Sequence, residues 1–148
     1  MAIDITSNGG SERNTVIYVT VDTKKINDHN IDQHVVFSDN REDPPQAPGR
    51  PQDYVSTIDK GMKVYWRGVV KDADSEDTIE ITDVVAKDNR GKWKLLDKVE
   101  SEQGNKGVKV GKVKNEMIRG EEPYSVKFRI NGSSGKEYLV DPKLKMAD

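Results

Sequence analysis

A short acidic run offers carboxylates that could bind a divalent cation, namely Asp72, Asp74, Glu76 and Asp77. Calcium prefers several such oxygens around one ion. An EF-hand loop needs glycine at its sixth position, where this run has Asp77, and its twelfth position would be Asp83, inside a predicted strand. The run therefore favours a polar turn between two strands. A calcium site formed by tertiary contact is the alternative, and no other cofactor is indicated.

Two neighbouring aromatic residues, Tyr65 and Trp66, lie in a strongly apolar segment. Side chains alternate between the two faces of a strand, so one of the pair faces inward and the other outward. An exposed aromatic ring can hold a sugar, although it serves equally well in an interface. Both residues are therefore candidate ligand-binding residues, and the acids Asp39, Glu42 and Asp43 could add contacts.

The sequence lacks the residue patterns that several kinds of catalytic site require. The chain has no cysteine, which excludes thiol catalysis and cysteine-bound metals. The two histidines, His29 and His34, are five residues apart, a spacing that fits neither a helical pair nor one face of a strand. A nucleophile elbow of the Gly-x-Ser-x-Gly type is also missing. We therefore expect no catalytic residues and no enzymatic activity.

Charge is nearly balanced over the 148 residues, with 24 Lys and Arg against 26 Asp and Glu and a net charge of -2. Residues 87–119 are locally basic and include Trp93, but alternating lysine and valine is also typical of half-buried or edge strands. We expect no nucleic-acid partner. Apolar runs are shorter than the roughly 18 residues of a membrane helix, and the first ten residues do not resemble a signal peptide. The expected location is the cytoplasm, with no membrane contact.

The elements that must position these residues are almost all strands. Runs of β-branched and aromatic residues, separated by turn residues, predict a single all-β domain, an antiparallel β-sandwich with jelly-roll or immunoglobulin-like layering left open. The predicted strands are residues 15–21, 62–70, 78–85, 92–96, 108–113, 124–130 and 137–140. The domain covers 15–148 after a flexible arm, 1–14. Its predicted irregular segments are a proline-rich loop at 38–53 and a mobile connection at 100–107.

The turn residues of 131–135 follow the predicted strand Tyr124–Ile130. They predict an antiparallel hairpin between this strand and residues 136–144. The two-residue period places two sets of side chains on opposite faces. The set expected to be buried is Tyr124, Val126, Phe128 and Ile130, and the set expected in solvent is Ser125, Lys127 and Arg129.

Three separated stretches together resemble one protein family. The first runs from Val16 through Asp22-Thr23 to Ile26, the second is Gly61 to Arg67, and the third is Tyr138 to Met146 with its Asp141-Pro142 step. Their order and content are similar to the AidA/PixA inclusion body protein family. The resemblance implies a bacterial, cytoplasmic β-sandwich that self-associates, with no established catalysis.

Two functions follow as hypotheses of different classes. The first is a non-enzymatic, self-associating protein of the inclusion body type, a homo-oligomer whose small-molecule or glycan ligand, if it has one, is unknown. The second is a carbohydrate- or other ligand-binding module assisted by calcium, built from Tyr65, Trp66 and the acids of residues 72–77.

Overall fold

Two packed β-sheets form the molecule in the computed structural model, which describes residues 13–41, 43, 50–87, 89–131 and 136–147. The strands within these ranges are β1 (Thr15–Val21), β2 (Val35–Asp39), β3 (Val55–Ile58), β4 (Lys63–Val70), β5 (Ile79–Ala86), β6 (Leu96–Glu102), β7 (Asn105–Val113), β8 (Glu122–Ile130), β9 (Glu137–Val140) and β10 (Lys143–Met146). Short 3-10 helices lie at Ile31–Gln33, Pro51–Asp53 and Asn89–Gly91. The predicted all-β sandwich is confirmed.

Both sheets are mixed, whereas the sequence predicts wholly antiparallel pairing. The first sheet has the order β2-β1-β4-β7-β6, with β1 and β4 parallel. In the second sheet β8 pairs with β5 on one side and with β9 and then β10 on the other. The β10 strand continues into a parallel pair with β3. Strands far apart in sequence therefore become neighbours.

Large apolar side chains from both sheets meet in one core. Trp66 and Ile17 from the first sheet and Tyr124 and Phe128 from the second are completely buried. Removal of such side chains from water is the main driving force of folding. Alternation along β1 produces this arrangement, because every second residue from Thr15 onward is buried.

The predicted C-terminal hairpin is confirmed in its first half, since β8 and β9 pair antiparallel. After Asp141-Pro142 the chain leaves this hairpin, and β10 pairs with β3 instead. The predicted solvent exposure of Ser125 is wrong: its hydroxyl is buried and donates to the Asp141 carboxylate at 2.6 Å. Most of the predicted loop, residues 132–135, lies outside the described residues.

The predicted strand at residues 92–96 is wrong except for its last residue. The backbone N–H groups of Lys94 and Leu95 donate to the buried carboxylate of Glu122, at 2.8 and 2.9 Å. These groups are thus occupied by a side chain from β8 rather than by a neighbouring strand. Regular pairing in this region begins at Leu96.

Two predicted irregular segments are more regular than expected. The connection at 100–107 is a tight hairpin between β6 and β7, because Gly104 adopts a φ of 81° that other residues disfavour. The proline-rich loop starts later than residue 38, since Ser38 and Asp39 pair with β1. Pro51 opens a 3-10 helix at its other end. Residues 44–49 lie outside the described part of the chain.

Arg13 and Asn14, the last two residues of the predicted flexible arm, are held by hydrogen bonds to other segments. Arg13 donates its backbone N–H to the Asp59 carboxylate at 2.9 Å, and the side chain of Asn14 accepts from the Lys63 N–H at the same distance. Both residues are therefore tied to the start of the sandwich. The preceding residues, 1–12, lie outside those that the structure describes.

Candidate functional site

Trp66 lies in the core rather than at the surface. Its side chain is fully buried, and its indole N–H donates to the hydroxyl of Tyr124 at 3.0 Å. Burial raises the pKa of Tyr124, so this hydroxyl stays protonated. A ring enclosed in this way cannot hold a ligand, and the prediction of Trp66 as a ligand-binding residue is wrong.

Tyr65 lies on the opposite, outer face of the first sheet and is half-buried. Its register partners on that face are Val16 of β1 and Val110 of β7. Val69, further along β4, is 38% exposed. This outer face is therefore partly apolar.

Three lysines lie side by side at one end of this face and form what we call the lysine row. Lys63 of β4 is directly opposite Lys112 of β7, which is in turn opposite Lys98 of β6. All three are exposed, and together with Glu100 and Val110 they line a cleft of about 210 Å³. Like charges placed directly opposite each other destabilise a sheet, so this row is costly for the isolated molecule.

The acidic run forms a loop between β4 and β5, which we call the acidic loop, residues 71–78. Asp72 accepts a hydrogen bond from the Lys24 ammonium at 2.7 Å, and this contact lowers the pKa of its carboxyl. Asp77 accepts from Thr23 at 2.6 Å and from Asn131 at 2.9 Å, and its pKa is lowered chiefly by the Thr23 hydroxyl.

These carboxylates do not converge as a metal site would require. Asp72 and Asp77 face separate partners, while Asp74 and Glu76 are exposed to solvent. Within the described residues, no three His, Cys, Asp or Glu side chains are grouped closely enough to hold an ion. The structure therefore does not bring the predicted calcium ligands together. The Asp72 carboxylate accepts from Lys24 instead, and the Asp77 carboxylate accepts from Thr23 and Asn131.

A second acidic group, which we call the anchor cluster, lies at the end of β2 and along β3. It consists of Asp39, Arg41, Asp43, Tyr54 and Asp59. Asp39 accepts from the Tyr54 hydroxyl, from the Ser56 hydroxyl at 2.7 Å and from the Arg41 N–H at 2.8 Å. The Arg41 guanidinium pairs with Asp59 at 2.6 Å, and only about a tenth of either side chain is exposed. The cluster thus ties the residues after β2 to β3.

Asp43 covers the free edge of β3. Its carboxylate accepts from both the N–H and the hydroxyl of Thr57, at 2.9 and 3.0 Å. The backbone carbonyl of Thr57 accepts from the Thr15 hydroxyl at 2.9 Å. Side chains therefore satisfy backbone groups that an incoming strand would otherwise use.

The two neighbouring carboxyl groups of the anchor cluster titrate differently. Burial alone would raise the pKa of Asp39, but hydrogen bonds from Tyr54, Ser56 and Arg41 outweigh it and hold the pKa below its usual range. Burial raises the pKa of Asp43, and the adjacent Asp39 carboxylate raises it further. The same cluster therefore favours the ionised form of Asp39 and the protonated form of Asp43.

Sequence reasoning identified Asp39 and Asp43 as loop acids but did not connect them with Arg41, Tyr54 or Asp59. The only signal was a set of polar residues next to β-branched segments, which is too common to be specific. Glu42, the third predicted loop acid, lies outside the described residues.

A family model described as a domain of unknown function (DUF8788) matches residues 13–136. The chain belongs to this family. The DUF8788 match includes β1 and β4, which carry two of the three stretches that resemble the AidA/PixA family, and it ends before the third. No curated protein matches the sequence.

The fold is similar to that of the inclusion body protein PixA from Burkholderia cenocepacia, known from its crystal structure. The alignment covers 96% of this chain and 100% of the PixA chain, with a TM-score of 0.59 and 14% sequence identity. At this identity the likeness establishes a shared fold. Within the described residues, no helix has the length and apolarity to cross a membrane.

Proposed function

We propose that this chain is a non-enzymatic, cytoplasmic protein that associates with itself, as an inclusion body protein does. The observation that carries the proposal is the match of nearly the whole chain to the fold of PixA, which is described as an inclusion body protein. The three sequence stretches that resemble the AidA/PixA family support the same relationship.

The buried polar groups support a structural rather than a catalytic role. Glu122 binds two backbone N–H groups through its carboxylate. Lys109, buried in β7, donates to the carbonyls of Ile81 and Lys106, both at 2.7 Å, and burial lowers its pKa. The acids of the anchor cluster likewise bind neighbouring segments. In each case the polar atoms hold the chain together, and the bonding that a catalytic group would offer a substrate is already used.

The surface is compatible with association between copies. A net charge of -2 is small for a chain of this length, so identical molecules repel each other only weakly. The outer face of the first sheet adds partly exposed apolar side chains, including Tyr65, Val69 and Val110.

Analytical ultracentrifugation of the purified full chain over a wide concentration range tests the proposal. We expect the average mass to rise well above the 16.6 kDa of one chain as concentration increases. A species that stays strictly monomeric at the highest concentration would contradict self-association.

A second measurement separates assembly of folded molecules from misfolding. Because Trp66 is fully buried and Trp93 is half-buried, folded protein in an assembly should retain the tryptophan emission spectrum of the folded monomer. The control is Phe128→Ala, which removes a buried core ring and should give aggregates with the red-shifted emission of a solvated indole. Wild-type assemblies that show the same red shift would count against native self-association.

A further inference from the structure

The two ends of the sandwich carry opposite charge, a feature that the small net charge conceals. Lys63 begins β4, and the acidic loop follows its last residue, Val70. With eight residues in this strand, the lysine row and the acidic loop are roughly 25 Å apart.

Further cations lie at the same end as the lysine row. The segment between β5 and β6 leads into Leu96, which pairs with Val113 next to the row. This segment carries Arg90, Lys92 and Lys94, and all three are exposed. Lys98 of the row lies 3.6 Å from Glu100. Lys63 and Lys112 enter no ion pair among the described residues, so the charges of these two lysines are available to a partner.

The opposite end presents acids that have no ion-pair partner among the described residues. Lys24 pairs with Asp72 and Lys71 lies 3.9 Å from Asp22. Asp74 and Glu76, by contrast, are exposed and form no ion pair within the described part of the chain. The tip of the acidic loop is therefore a free anionic surface.

We infer that copies of this chain associate head to tail, with the lysine row of one copy against the acidic loop of the next. The inference rests on the proposed self-association and specifies its interface. Charge complementarity within a single sequence identifies a second copy as the partner, because each molecule presents both halves of the contact. The acidic loop of a neighbour relieves the repulsion among Lys63, Lys98 and Lys112.

Assemblies of this kind can grow without limit. A contact between two different surfaces leaves one of each free at the ends, and unless a ring closes, it produces an open filament. The lysine row and the acidic loop lie at opposite ends of β4, so a contact between them joins two different surfaces. Continued growth would explain how a folded molecule accumulates in large bodies.

Charge reversal at each end tests the inference on the full-length chain. The first variant, Lys63→Glu with Lys112→Glu, makes the row acidic, and the second, Asp74→Lys with Glu76→Lys, makes the loop basic. Each variant alone should lower the association constant by at least about tenfold, because like charges then oppose each other. An equal mixture should assemble again, since molecules with two acidic ends can alternate with molecules with two basic ends. Lys127→Glu, on the other sheet, is the control and should assemble like the wild type.

The salt dependence of assembly provides an independent test. Raising sodium chloride from about 0.1 M to about 1 M shortens the screening length from roughly 10 Å to roughly 3 Å, and should dissociate wild-type assemblies. Wild-type-like assembly of the row variant, or a mixture that fails to assemble, would overturn the head-to-tail contact while leaving self-association intact. Assemblies that dissolve on nuclease treatment would show that a nucleic acid occupies the row, which also overturns it. A wild-type chain that never assembles would refute both proposals.

Discussion

Asp39 and Asp72 are both aspartates near strand ends, yet their surroundings differ. Asp39 lies in the anchor cluster, where two hydroxyls and a backbone N–H donate to its carboxylate. Asp72 lies in the acidic loop, where its main partner is the ammonium of Lys24, a side chain that is itself 67% exposed. The first network joins β2 to β3, whereas the second joins two surface loops.

This difference indicates that the charge of an acid contributes to stability mainly where the carboxylate is buried and bound by several donors. A buried pair that loses one member leaves the other charge without compensation. An exposed pair competes with water and salt and contributes little. The anchor cluster should therefore determine stability, and the acidic loop should leave its charge free for contacts with other molecules.

The largest effect is expected from Asp59→Ala. Removal of this carboxylate leaves the buried Arg41 guanidinium and the Arg13 N–H without their acceptor, which should lower the free energy of unfolding by about 3–5 kcal/mol. Urea unfolding followed by tryptophan fluorescence measures the change. The matched control is Asp74→Ala in the acidic loop, for which we expect less than about 0.5 kcal/mol. Similar losses for the two variants would remove the distinction between the regions.

An intermediate effect is expected from Asp39→Asn. The amide keeps one acceptor oxygen but loses the charge that receives hydrogen bonds from Tyr54, Ser56 and Arg41. Hydrogen bonds to charged groups contribute about 1.5–3 kcal/mol, and a loss in this range should appear in the same urea titration. A variant as stable as the wild type would mean that these bonds need no charge.

The pH dependence of stability should separate Asp39 from Asp43. The pKa of Asp39 lies below the ordinary value of 3.8, so its contribution is present above that value and is lost as the pH falls through the lowered pKa. The pKa of Asp43 lies above 3.8, so its contribution is present at lower pH and is lost as the pH rises through the raised pKa.

Urea unfolding of Asp39→Asn, Asp43→Asn and wild type, from acid to neutral pH, measures both contributions. Relative to wild type, the deficit of Asp39→Asn should be largest near neutral pH and shrink in acid. Asp43→Asn should compare most favourably with wild type near neutral pH and lose that advantage as the pH falls. Parallel profiles for all three proteins would show that folding shifts neither pKa.

The smallest effect is expected from Asp72→Asn. This change removes the contact with Lys24 at the surface, and salt screens such pairs effectively. The urea midpoint should shift only slightly at low salt, and the difference from wild type should disappear at high salt. A shift that persists in high salt would indicate that the acidic loop supports the fold.

Strands could be predicted where a local pattern is sufficient. The alternation in β1 and β8 marks the residues that reach the core, and the structure confirms most of them. The pattern failed where a distant side chain replaces a strand partner, as Glu122 does at Lys94 and Leu95. It also failed at Lys109, which resembles an edge-strand lysine but is buried and bound to two carbonyls.

The candidate sites were harder to predict because they depend on contacts between separate segments. The lysine row joins three strands through their register, and the charges of residues 63, 98 and 112 look unrelated in the sequence. Trp66 and Tyr65 illustrate the converse case. The sequence establishes that they face opposite sides, but only the packing decides which ring is buried.

The parallel pair of β3 and β10 has a consequence for biosynthesis. Val55 pairs with Lys143, so β3 leaves the ribosome long before its partner has been made. At about 5–20 residues per second, the 85 positions from Ile58 to Lys143 take roughly 4 to 17 s. During this interval the second sheet is incomplete, and the side of β3 that β10 will cover has no permanent partner. Until β10 is made, this edge of β3 is open to pairing with a strand of another chain. Several ribosomes on one message would bring such edges close together.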